Sequence, residues 1–120
     1  MNKHIVSMAL CSLFLMACGS NVSKMTVSEK SLKEVVGDKF LMGVALNVRQ
    51  SSGMDTSALK IVKRHFNAIV AENCMKSEEI QPKEGEFHFE DADRLVQLGL
   101  DNGMTVTGHC LIWHSQLPEW

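Results

Sequence analysis

Apolar positions along the chain recur at two periods, and the alternation between those periods outlines a fold. Leu32, Val35 and Val36 stand at helical spacing behind Thr26-Val27-Ser28-Glu29, a hydroxyl residue followed three places later by Glu, and ahead of Gly37. This predicts a short helix opened by a capping box and closed at glycine. Phe40 to Leu46 is a continuous apolar run containing one glycine, the composition of a strand buried on both faces. Ser51-Ser52-Gly53 reads as loop. Asp55 or Thr56 can cap a second helix, in which Leu59, Val62 and Phe66 recur at three and four while Lys60, Lys63 and Arg64 face water. Asn67 to Ala71 predicts a second buried strand, and Gln81 to Gly85 a turn. Phe87 and Phe89 alternate with His88, as in an extended pair packing onto the body. Asp91 to Asp101 predicts a third helix with Ala92, Leu95, Val96 and Leu98 inward, stopped at Asn102-Gly103. Met104 to Gly108 opens a third strand.

Strand, helix, strand, helix, strand is the order of an α/β protein with parallel strands and crossover helices. No glycine-rich phosphate loop follows any of the strands, which argues against a nucleotide-binding sheet. Polar clusters follow the second and third strands instead. That suits a (β/α)₈ TIM barrel, whose site lies at the strands' C-terminal ends. Such a barrel takes about 250 residues, whereas this chain has 120. Three parallel strands leave apolar faces and an edge unpaired. The expectation is about three βα units, the N-terminal part of a longer barrel, over residues 26–120.

Composition narrows this further. At 45% hydrophobic and 22% charged the chain is ordinary for a globular protein, and a formal net charge of −2 carries no footprint for nucleic acid. Residues 1–17 read as a lipoprotein signal peptide, with Lys3 as the positive region and Ile5 to Ala17 as an apolar run too short for a comfortable membrane span. Leu15-Met16-Ala17-Cys18 resembles a bacterial lipobox, with Met16 a less usual occupant of its middle; the resemblance implies Cys18 as the lipidated N-terminus, 18–25 as a tether and the bacterial cell envelope as the location, the alternative being an ordinary secretory signal with an incidental Cys. Cys11 leaves with the signal. Cys74 and Cys110 remain near the ends of neighbouring strands, where a disulfide is feasible but two inert thiols are the simpler expectation.

The chemistry is concentrated in two stretches. Glu72-Asn73-Cys74-Met75-Lys76 offers an acceptor, an amide and a cation, able to grip paired sugar hydroxyls; its bland alternative is a Glu72–Lys76 ion pair in a loop. Gly108 to Trp120 packs two His, two Trp and a Gln into thirteen residues. Either Trp could be core, but Trp113 sits among polar residues, as an aromatic platform for a pyranose would. Gln116 could bond a hydroxyl or merely the loop backbone, and a lone His109 is more often a satisfied buried residue. His109 and His114, five apart on an extended strand, point to opposite faces, and no carboxylate completes a metal set. Neither metal nor cofactor is expected.

Taken in order, Phe66-Asn67, Glu72-Asn73-Cys74-Met75-Lys76, Phe87-His88-Phe89 with Ala92-Asp93, and Gly108-His109-Cys110-Leu111-Ile112-Trp113-His114-Ser115-Gln116-Leu117-Pro118-Glu119-Trp120 resemble the N-terminal third of family-10 glycoside hydrolases, the endo-β-1,4-xylanases. The resemblance implies a barrel that cleaves xylan internally with retention. It implies that Glu72, Asn73, Lys76 and Gln116 bind the xylose two units to the non-reducing side of the cut. It further implies that Lys76, His109 and Trp113 line the sugar beside the scissile bond, with His114 supporting them. Ser77, Thr107 and Cys110 depart from the family's usual aromatic, Arg and Thr. Retaining chemistry needs two carboxylates about 5–5.5 Å apart; the resemblance places both on the fourth and seventh strands, so no catalytic residue is expected within the 120. The expected partner is xylan or its oligosaccharides, the full-length protein being monomeric. The alternatives are a non-catalytic xylan-binding lipoprotein and a barrel glycosidase acting on another glycan.

Overall fold

The structure, a computed structural model, describes residues 29–120. The predicted signal peptide, Cys18, the tether and the first three residues of the Thr26 capping box lie outside them. Nine short elements follow one another: α1 (Leu32–Val36), a 3₁₀ turn (Gly37–Lys39), β1 (Gly43–Leu46), α2 (Val48–Ser51), α3 (Thr56–His65), β2 (Ala68–Ala71), α4 (Ser77–Ile80), α5 (Glu90–Asp101) and β3 (Thr105–Thr107). The strands form one parallel sheet in the order β1-β2-β3, with Val44 beside Ile69 and Ile69 beside Val106. The predicted α/β class and parallel crossover order hold.

One face of the sheet is covered by helices. Side chains alternate across a strand, so Val44 and Leu46, Ile69 and Ala71, and Val106 share the covered side. There they meet Val62 of α3 and Leu95 and Leu98 of α5, with Met104 and Cys74 completing the core. Leu46, Ile69 and Leu95 are each sealed to 1% exposure or less, and sealing one such side chain is worth about 1.5–3 kcal/mol. Gly99 lets α5 approach this closely: a Cβ there would collide with the Val106 side chain and press on Ile69. The α3 prediction is met, with Asp55 Oδ1 accepting from the Ala58 amide at 3.0 Å and Lys60, Lys63 and Arg64 exposed.

Several expectations need correction. The capping box of α1 is formed by Ser31 and Glu34 rather than by Thr26 and Glu29: Glu34 takes both the amide and the hydroxyl of Ser31 at 2.7 Å, and Ser31 Oγ accepts from the Glu34 amide. Leu32 N–H, the first amide of the helix, donates to His65 Nδ1 on α3 at 3.2 Å. β1 is shorter than its apolar run and is not buried on both faces. Phe40 and Leu41 are exposed, and of the strand only Leu46 is buried, because no second layer among the described residues covers the far side of the sheet. Ser51 belongs to α2, opened by a second capping box between Asn47 and Gln50. Phe87 and Phe89 do not form an extended pair, since no strand forms there and Phe89 takes φ −103°, ψ −8° ahead of α5. Both are about half exposed and stack on each other, with centroids 5.6 Å apart and rings 8° from parallel.

Candidate functional site

Because the strands are parallel, all three hand their chains over at the same edge of the sheet. After β2 the Glu72 amide extends the ladder by bonding Leu46 O at 2.9 Å, and the chain then turns tightly, with Lys76 N–H on Asn73 O at 2.8 Å. Lys76 serves as the N-cap of α4, its carbonyl accepting from Glu79 and Ile80. This turn leaves the Lys76 side chain directed inward, and only 5% of the residue is exposed.

A buried ammonium must be partnered, and the segment after β3 supplies the partners. Nζ of Lys76 lies 2.6 Å from Nδ1 of His109 and 4.4 Å from the centre of the Trp113 ring. An ammonium only donates, so Nδ1 of His109 accepts and the imidazole carries its proton on Nε2, free to donate elsewhere. Trp113 also meets both histidines edge-on, His109 at 6.0 Å and His114 at 5.3 Å between centroids. The predicted placement of His109 and His114 on opposite faces of a strand is corrected by this. β3 ends at Thr107, and residues 108–120 form an irregular loop that wraps both imidazoles around one indole.

That loop is strapped to α4 at two points. Gln116 O accepts from the Glu78 amide at 3.1 Å, and Trp120 Nε1–H donates to Gln81 O at 3.0 Å. Gln116 adopts φ +53°, a left-handed conformation uncommon for a side-chain-bearing residue. In it the Gln116 amide reaches Asn73 Oδ1 at 3.3 Å. The sequence-predicted residues therefore fall into two adjoining groups: Lys76 with His109 and Trp113, and Asn73 with Gln116. Glu72 joins neither through a side-chain bond among the described residues. It is exposed at the same strand end, and its anticipated ion pair with Lys76 is replaced by the Lys76–His109 contact.

Two features escape a reading of the sequence. Asn47 and Arg49, at the end of β1, share with Asn73, Cys74 and Glu79 a hollow of about 340 Å³. The Asn47-Val48-Arg49-Gln50 capping box was the available signal. Gln81, Ser77, Leu117, Pro118 and Trp120 line another hollow, of about 390 Å³. Cys74 and Cys110 are both free. Burial, aided by the negative Asp91 and Glu79, pushes the Cys74 thiol above its usual range, which keeps it protonated and unreactive.

Comparison with known proteins places the fold in a family. The family model for Glycosyl hydrolase family 10 matches residues 31–120. Endo-1,4-beta-xylanase A of Xylanibacter ruminicola is 42% identical over 99 residues, covering 82% of this chain and 27% of that protein. Xylanase B from Clostridium stercorarium F9 superposes with a TM-score of 0.70 at 40% identity, covering 77% of this chain and 26% of that one. A mutant structure in complex with xylotriose does so with a TM-score of 0.69 at 37% identity, over 75% and 26%. The chain thus spans about a quarter of the length of these relatives.

Proposed function

The chain belongs to glycosyl hydrolase family 10, and on that footing we propose that it is the N-terminal part of a retaining endo-1,4-β-xylanase, supplying half of the groove that holds xylan. The supporting observation is the convergence of Lys76, His109 and Trp113, with Nζ 2.6 Å from the imidazole and 4.4 Å from the indole centre. In this reading the fixed Nε2–H of His109 and the ammonium of Lys76 hold the hydroxyls of the sugar beside the bond to be cut. The Trp113 indole stacks against that ring. Asn73, Gln116 and Glu72 grip the next sugar on the non-reducing side. The Asn73–Gln116 contact, at 3.3 Å between half-exposed or exposed groups, opens readily to hydroxyls that replace it.

The two carboxylates that perform displacement and proton transfer are assigned to strands encoded after residue 120. The 120-residue chain therefore binds xylo-oligosaccharide and does not turn over xylan. The xylanases among the relatives and the xylotriose complex support the substrate class. Leu15-Met16-Ala17-Cys18 supports lipid anchoring at Cys18 in a bacterial cell envelope.

Titration of the chain with xylotriose, followed by tryptophan fluorescence, tests the binding half. Binding that falls about tenfold in Lys76→Met, the cost of one charged hydrogen bond, is the expected result; no binding, or binding indifferent to Lys76, removes the proposal. Xylan hydrolysis by the unaided chain would contradict the assignment of the carboxylates. The second reading, a non-catalytic xylan-binding lipoprotein, shares the binding result, and the nucleotides after codon 120 separate the two. A further strand ending in Asn-Glu favours the enzyme, and a stop codon favours the binder.

A further inference from the structure

Charge is unevenly divided along the described residues. From 29 to 66 there are seven Lys and Arg against four Asp and Glu; from 67 to 120 there are three against ten. The fold converts this into a polarity between two ends. The α3 helix runs back to the N-terminal edge of the sheet, where Asn67 bonds Met42 and Thr105, and α1 packs on it through Lys33 Nζ to Lys63 O at 2.8 Å. Lys60, Lys63 and Arg64 are spaced three and four apart and lie on one exposed stripe. Lys30 and Lys39 flank that end, also exposed. The acidic groups at that edge are Glu29, which pairs with Arg64 at 3.6 Å, Glu34, which is engaged in the α1 cap, Asp38, and Asp101 at the end of α5, which accepts from Gln97 Nε2 at 2.6 Å. Val35 and Phe40, large and more than half exposed, stand among the lysines.

Cations in the last turn of α3 complement its dipole, and that alone accounts for Lys63 and Arg64. It does not account for Lys60, Lys30 and Lys39, nor for exposed Val35 beside them. A mixture of lysines and apolar side chains is the composition of a surface that lies on an anionic bilayer. The chain enters the described domain at this same end, where Arg64 bonds Glu29 O at 2.8 Å. Cys18 is 13 residues before Ser31, a reach of at most about 45 Å.

We propose that the α1–α3 end is a membrane-docking face for anionic phospholipid headgroups, which seats the domain with its sugar-binding edge pointing away from the bilayer. The orientation follows from the parallel sheet: α1 and the end of α3 lie at the strands' N-terminal edge, whereas Lys76, His109 and Trp113 lie at the opposite one. The inference rests on the lipid-anchor reading for its biological setting, but the charge-dependent contact is separable from the anchor.

Flotation of the full chain with phosphatidylcholine vesicles, with and without about one-third phosphatidylglycerol, is the test. The expected result is about tenfold tighter association with the anionic vesicles at low salt, abolished at high salt. The preference is lost in Lys60→Glu/Lys63→Glu/Arg64→Glu and kept in Lys83→Glu, whose charge lies far from this face. Lys60→Gln/Lys63→Gln, which retains the Arg64–Glu29 contact, reduces it by a smaller factor and guards against misfolding of the triple variant. Equal flotation with both vesicles, or a preference that survives the triple variant, overturns the proposal. Mass spectrometry of Cys18 decides the anchor independently. An unlipidated chain that still prefers anionic vesicles loses the anchor and keeps the face, whereas a lipidated chain without that preference loses the face alone.

Discussion

Nζ of Lys76, at the turn after β2, sits 2.6 Å from Nδ1 of His109, in the loop after β3. Thirty-three residues separate them in sequence, and the parallel pairing of the two strands brings them together. The contact defines the tautomer of His109, because the ammonium has protons to give and no lone pair to offer.

Nitrogen NMR of the imidazole should accordingly find the proton on Nε2 in the unliganded chain. In Lys76→Met the preference should relax toward a mixture of tautomers. A proton found on Nδ1 of the wild-type chain would mean that the contact is not the bond described.

The core should be intolerant at α5. Leu95 is completely sealed, and Leu95→Ala should cost about 2–5 kcal/mol. Gly99→Ala fails for the opposite reason, overpacking against Val106 and Ile69, at about 1–3 kcal/mol. Urea denaturation of both variants beside Leu100→Ala, an exposed position on the same helix, measures each effect against a neutral control.

The two thiols should differ in reactivity. Cys74 is buried with its pKa raised, whereas Cys110 is partly exposed. Alkylation by iodoacetamide near neutral pH should label Cys110 first and Cys74 only as the domain opens. For Cys74 the folded state favours the protonated thiol. The associated stability is complete below the unfolded thiol pKa and is lost as pH rises through the raised folded value. Faster labelling at Cys74 than at Cys110 would contradict the burial described.

The start of α1 should respond to acid. Hydrogen bonds from the Ser31 hydroxyl and amide hold the Glu34 carboxyl below its ordinary value. Its contribution is present above the unfolded carboxylate pKa and is lost as pH falls through the depressed folded one. The Ser31 amide resonance should therefore move only below the ordinary range for glutamate, and Ser31→Ala should remove that titration along with the cap, at about 1 kcal/mol.

Legibility varied with the range of the interaction concerned. Helix α3 could be read from the chain, since Asp55 caps it locally and the spacing of Val62 and the lysines is its own evidence. The extended β1 prediction failed at Phe40 and Leu41 because apolar character records a tendency to be buried, not the presence of a covering layer. α4 was not anticipated, its cap residue Lys76 lacking a side-chain bond to the helix. The Phe87–Phe89 alternation predicted an extended pair, whereas Phe89 turns helical ahead of α5 and the two rings stack on each other.

Sequence alone determined the α/β order, the parallel crossover logic and the residue types gathered after β2 and β3, because periodicity, caps and strand composition are encoded within a dozen neighbouring positions. Tertiary structure alone decided that Lys76 is spent on His109 and Trp113 rather than on Glu72, that Gln116 turns left-handed to meet Asn73, and that the lysines of α3 share an end with the chain's entry. Those outcomes depend on which strand edge faces which, a relation that arises only once residues far apart in the chain are hydrogen-bonded side by side.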